Sequence, residues 1–147
     1  MNARELSQAG GTKTFVLVLN AGDEVTKELL AFSRSRGIAT ASFTGIGAFQ
    51  HVTLGYFEPQ QRDYLRIPIT EQVEVLSLLG NLAIGDDGPK LHAHVVVGKR
   101  DGTAHGGHLL DAHVRPTLEV VLVETPAHLR RRSDPATGLA LIDLKER

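Results

Sequence analysis

The sequence predicts an α+β fold: a mostly antiparallel, curled β-sheet with one main helix packed on it. Three observations lead there. Only one stretch, Asp23 to Arg36, carries helical periodicity. Most of the chain beyond it reads as runs rich in Val, Leu, Ile, Thr, Phe and Tyr, broken by turn chemistry. No helical pattern lies between those runs to carry the chain from one parallel strand to the next, so neighbours are expected to pair antiparallel.

Taken in order, residues 1–12 form a polar, flexible lead-in that ends around Gly10-Gly11, and the domain itself is expected over 13–147. Thr14 to Asn20, TFVLVLN, is a dense apolar run and a buried strand. Asp23 is placed to cap the helix, Val25, Leu29 and Phe32 make its apolar stripe, and Gly37 stops it after basic Arg34 and Arg36. Strands are expected at Ile38 to Phe43, His51 to Phe57, Tyr64 to Ile69, Val73 to Ala83, Lys90 to Gly98, Thr103 to Leu110, Pro116 to Glu124 and Leu139 to Leu144. Gly45-Ile46-Gly47 reads as a turn, since it lacks the third glycine and the subsequent helix of a dinucleotide fingerprint. Pro68 marks its strand as an edge or a bulge.

A chain of 147 residues is one domain with room for a real core. Lys+Arg number 16 against Asp+Glu 17, for a net charge of −1. That argues against binding nucleic acid through a bulk basic field. There are no cysteines, so disulfides and thiolate metal sites are excluded and His, Asp and Glu remain as metal ligands. No run approaches a membrane span and the first residues have no apolar core like that of a signal peptide. The expectation is a cytoplasmic protein with no membrane partner.

Four of the seven histidines fall within Leu91 to Leu110, LHAHVVVGKRDGTAHGGHLL. Side chains alternate faces along a strand, so His92 and His94 point the same way. Two turns compete to place His108. A three-residue loop Arg100-Asp101-Gly102, with Gly in the left-handed position, pairs His94 with His108 and gathers His92, His94 and His108 on one face, leaving His105 on the other. A two-residue Asp-Gly turn pairs Val95 with His108 and sends His94 and His108 to opposite faces. Gly106-Gly107 favours the first, because glycines beside His108 let backbone or ligand approach closely.

Three neutral imidazoles on a rigid surface suit a divalent metal, zinc above all, at about 2.0–2.1 Å per nitrogen, with at least one position left for water or a small-molecule ligand. The competing reading makes them half-buried polar residues bonded to backbone. Glu74, in an apolar strand, is a catalytic candidate: it would orient a histidine or act as a general base beside the metal, unless it is simply ion-paired. Asp111 and His113 come after the hairpin and are possible fourth ligands, though a loop role is the simpler one. Arg130, Arg131 and Arg132 are the only basic run and a candidate anion or nucleic-acid contact in an otherwise solvated loop. His51 and His128 read as surface residues.

The same stretches carry a resemblance. PKLHAHVVVG…GTAHGGHLL, with LNAGDEVTKELLAFSRSRGI, ASFTGIGAFQHVTLGYF, VEVLSLLGNLA and LEVVLVE, resembles the plants and prokaryotes conserved (PPC) domain family over roughly Lys13 to Leu144. That family is known from single-domain bacterial and archaeal proteins and from plant AT-hook proteins. The resemblance implies an α+β fold assembled as a homotrimer. It implies that His92, His94 and His108, at the family's HxH and GGH positions, bind a metal. It also implies DNA as a partner, the role predicted for prokaryotic members from their plant relatives. Plant members reach DNA with a basic arm around Arg-Gly-Arg-Pro, and this sequence contains no such segment; Gln72-Val73 stand where the plant motif GRFEIL has Arg-Phe. Three classes of function are compatible with this: a binding or regulatory module, a metal-dependent enzyme acting through activated water, and a structural trimer without metal.

Overall fold

A computed structural model describes residues 1–125 and 129–144. Its elements are β1 (Asn2–Ala9), β2 (Thr12–Asn20), α1 (Val25–Arg36), β3 (Ala41–Glu58), β4 (Asp63–Ile69), β5 (Val73–Gly85), β6 (Gly88–Gly98), β7 (Ala104–Glu124), β8 (Arg130–Ser133) and β9 (Ala140–Asp143). The α+β reading holds: one sheet, largely antiparallel, and one helix among the described residues. The sheet runs β1-β2-β7-β3-β5-β8-β9, with β4 on β3 and β6 bonded to both β5 and β7. Strands β3, β5, β6 and β7 therefore close a ring, the curl that the sequence suggests. Among the described residues the one parallel contact is Ile84 with Arg130.

Alternation builds the core. Phe15, Leu17 and Leu19 of β2 point inward and are buried, as are Leu78 and Leu82 of β5, Val95 and Val97 of β6, and Leu118, Val120 and Leu122 of β7. Burying each such side chain fully is worth about 1.5–3 kcal/mol. Helix α1 covers this layer with Val25, Leu29 and Phe32, the predicted stripe, and Phe32 meets Phe15 edge-on at 5.2 Å. Gly37 closes the helix at φ 65°, as expected. The N-cap is Glu24 rather than Asp23: its carboxylate accepts from Thr26 N and Lys27 N, while Asp23 accepts from Asn20 N and tightens the preceding turn.

Three further expectations are corrected. Residues 1–12 do not stay free of the sheet, because Asn2–Ala9 pairs along β2. Its side chains remain mostly exposed, so it adds backbone hydrogen bonds without the burial that sequence patterning detects. Gly45-Ile46-Gly47 is no turn, and the two strands predicted around it are one, β3. The ladder shifts at Gly45/Gly47, and a Cβ on Gly47 would collide with the Thr117 carbonyl oxygen, so the glycines serve a bulge. Likewise β7 runs unbroken through Pro116, which sits where the ladder to β3 slips between Leu118 and Val114.

Candidate metal centre

The turn between β6 and β7 decides which face His108 takes. Lys99 N donates to Thr103 O at 2.8 Å and Gly102 N to Lys99 O at 2.9 Å, so Arg100, Asp101 and Gly102 form a three-residue loop. Gly102 adopts φ 82°, the left-handed conformation a residue without a Cβ takes at no steric cost. Asp101 Oδ1 locks the loop by accepting from Thr103 N at 2.9 Å and Thr103 Oγ1 at 2.6 Å. Val97 then pairs with His105 and His94 with His108. The two-residue alternative does not form, since Val95 pairs with Gly107.

Three imidazoles meet as a result. Ring centroids lie 5.1 Å apart for His92 and His94, 5.1 Å for His92 and His108, and 5.4 Å for His94 and His108. One ring nitrogen from each lies within 4.8 Å of the others. His92 Nε2 and His94 Nε2 are 3.2 Å apart. Ligands at about 2.0–2.1 Å from a shared tetrahedral ion stand roughly 3.3–3.4 Å from one another, so this pair is already at ligand spacing. His108 Nδ1 is buried with no hydrogen-bond partner. Buried polar atoms rarely stay unpaired. The donor set, three nitrogens and no thiolate, fits a borderline divalent cation. Exposed His105 lies outside the group.

Burial, and then the neighbouring His92 and His94, push the His108 imidazole down to about 4. His92 is also lowered, by burial first and then by Arg131 and His94. His108 is therefore neutral at pH 7, the form a metal requires, and the shift on His92 runs the same way.

Glycines bring the surroundings close. Gly55 of β3 lies opposite His108, where a Cβ would stand 2.8 Å from Tyr64 Cδ1 and 3.1 Å from Leu110 Cγ. Its absence lets the Tyr64 ring stack on His108, centroids 4.5 Å apart at 21°. A Cβ on Gly107 would stand 2.9 Å from the Gly55 carbonyl oxygen, so β7 and β3 touch backbone to backbone there. Beside the histidines opens a cavity of about 220 Å³, walled by His92, His108, Tyr64, Arg131 and the leucines 91, 139 and 141.

The structure separates the remaining candidates. Glu74 is exposed and opposite Gly98. That places it four residues along β6 from His94, about 13 Å at the rise of a strand. Alternation gives it the right face at the wrong height, so within this chain it neither orients a histidine nor reaches the metal position. Arg130, Arg131 and Arg132 lie on β8 rather than in a loop. The middle one turns inward: Arg131 is 7% exposed, with Nη1 donating to Ala140 O at 2.8 Å and Nη2 to Asn81 Oδ1 at 2.6 Å. Arg132 stays outside, 3.2 Å from the Asp143 carboxylate. Asp111 and His113 form a separate group with His51, whose Nδ1 is 3.9 Å and His113 Nε2 3.8 Å from the Asp111 carboxylate. His128 lies outside the described residues. Sequence reasoning missed Tyr64 and the inward role of Arg131. A signal existed for the second: on a strand, the middle of three successive residues faces opposite to its neighbours.

The profile of the Plants and Prokaryotes Conserved (PCC) domain matches residues 6–126, and the chain belongs to that family. No curated protein matches. Among solved structures, a metal-containing protein from Archaeoglobus fulgidus is 34% identical over 88% of this chain and 92% of its own, with a TM-score of 0.83. A plant- and prokaryote-conserved (PPC) protein from Pyrococcus horikoshii is 30% identical over 96% of this chain and 100% of its own, at 0.85. A protein from Bacteroides thetaiotaomicron, named as a candidate DNA-binding protein, is 30% identical over 98% of this chain and 99% of its own, at 0.87.

Proposed function

We propose that this member of the Plants and Prokaryotes Conserved domain family is a homotrimeric metal-binding module. In this reading one divalent cation, zinc by preference, sits on His92, His94 and His108 and offers its open position to a small ligand in the adjoining cavity. The observation that carries it is the convergence of one ring nitrogen from each of the three histidines within 4.8 Å. The metal-containing relative from Archaeoglobus supports it. Elemental analysis of protein purified without a His tag tests it. About one zinc per chain is expected; a protein that takes up no divalent ion on reconstitution sinks the reading.

The trimer is supported by an uncovered apolar face. Ile46, Leu76, Leu79, Val96 and Val121 are each 40–61% exposed. All but Val96 border one hollow, and Val96 pairs beside it with Ser77. Such a contiguous patch marks an interaction surface. Sedimentation equilibrium should return three times the 15.9 kDa chain mass; a stable monomer at micromolar concentration defeats this part.

DNA, the partner that the Bacteroides relative's name carries, stands second. The net charge is −1, Arg131 turns inward and Arg132 lies on Asp143. Duplex binding that weakens steeply with added salt would reverse the order.

A further inference from the structure

We propose that the cavity beside the histidines takes a small carboxylate, with Arg131 as the group that holds the anion. The metal's share in this, as a second anchor, rests on the function proposed above; the Arg131 anchor stands without it.

Arg131 is a buried cation whose partners are neutral. Its two bonded acceptors are a backbone carbonyl and an amide oxygen, and its Nε is buried with no partner at all. A guanidinium removed from water is strongly disfavoured unless an anion or a full set of acceptors compensates. Among the described residues the protein supplies neither. Burial accordingly pushes the Arg131 guanidinium down from its usual value.

The walls select the sign and size of the missing group. Arg131 and Lys90 line the cavity, and among the described residues no acidic side chain does. A divalent ion on the histidines would add two further positive charges to the same wall. Arg131 lines the same cavity as His92 and His108, so an anion on the guanidinium would share that cavity with two of the proposed metal ligands. The volume of about 220 Å³ equals roughly seven waters at about 30 Å³ each. That accommodates a short metabolite. Leu91, Leu139 and Leu141 supply an apolar wall for a short carbon chain.

Carboxylate rather than phosphate is the match for these donors. A carboxylate is planar and fits one guanidinium fork. Phosphate sites typically draw on helix N-termini or nests of backbone N–H groups. The lining here comes from strands and the segment next to β9, with no helix residue.

The test monitors the Arg131 Nε–H resonance in ¹⁵N spectra while propionate, its neutral isostere propionamide, or inorganic phosphate is added to metal-free and to zinc-loaded protein. Propionate should shift it saturably in both forms, with affinity about tenfold higher on the zinc-loaded protein, and propionamide should bind at least about tenfold more weakly. Arg131→Lys should weaken propionate about tenfold while metal content stays at the wild-type level. Leu141→Trp, which narrows the cavity and leaves Arg131 in place, should weaken it as well and decides the matter if the first variant does not fold. No saturable shift on metal-free protein, or equal response to the amide, overturns the proposal. Tighter binding of phosphate than of propionate overturns the choice of carboxylate. Should the protein take no metal, the functional reading fails, yet the metal-free titration still decides this one.

Discussion

Two hairpins wall the same cavity, and they behave oppositely. The β6–β7 hairpin delivers His92 and His108, and its register is written into its own turn: Gly102 supplies the left-handed residue and Asp101 pins Thr103. The β8–β9 hairpin delivers Arg131 from strands of four residues each, RRRS and ALID. Inside that hairpin the Ala140 carbonyl accepts from Arg131 Nη1, and Asn81, fifty positions away in the chain, accepts from Nη2. Alternation sets the middle arginine apart from its two neighbours, but that it is the inward one depends on where the hairpin docks against β5, and a charge run hides its one buried member.

Breaking the first hairpin's cluster should have the largest effect. His94→Ala removes a ligand from the shared face, while His105→Ala removes a histidine from the same hairpin that lies outside the group. Zinc bound after reconstitution should fall at least about a hundredfold in affinity for the first and stay unchanged for the second. Equal losses would mean that the cluster is not the site.

The backbone contact beneath His108 comes next. Gly107→Val places a Cβ 2.9 Å from the Gly55 carbonyl oxygen, a backbone atom that cannot swing aside. Overpacking of this kind typically costs about 1–3 kcal/mol. At about 2–4 °C per kcal/mol for a chain of this size, thermal melting should show a clear drop. An unchanged melting temperature would mean that β3 and β7 separate easily there, and that the hairpin is not held rigidly.

The second hairpin is probed by Asn81→Ala. It deprives the buried guanidinium of one of two acceptors, at a cost of about 1–2 kcal/mol for a group left unpaired. Chemical denaturation measures it, and zinc content should not move. A neutral result would place the Arg131 charge in water and remove the buried anchor that the cavity argument uses.

These differences track what the sequence made legible. Val25, Leu29 and Phe32 declare the helix because their spacing is local, and the histidine face is set by one turn. The bulged strands misled because Gly45, Gly47 and Pro116 are also the residues that make turns; only the ladder partner Leu118 and the close approach of the Thr117 carbonyl distinguish a bulge from a reversal. Strand β1 was invisible because NARELSQA buries little, and its reason for being a strand is the free edge of β2. Glu74 misled differently. Its face was right, and only the pairing with Gly98 sets its height on the sheet.

The smallest expected effect sharpens the contrast most. Arg132 is next to Arg131 in sequence and identical in chemistry, but its side chain is 55% exposed and 3.2 Å from the Asp143 carboxylate. Exposed ion pairs are typically worth about 0–1 kcal/mol, since water screens the charges and two long side chains lose freedom. Arg132→Ala should therefore change stability by less than about 0.5 kcal/mol and leave zinc uptake and propionate binding at wild-type values. Adjacent arginines would then differ in effect solely because alternation turns one into the cavity and the other into solvent. If Arg132→Ala instead weakens propionate as much as Arg131→Lys does, the anion is drawn by the summed charge of the strand, and the orientation of Arg131 carries no specificity.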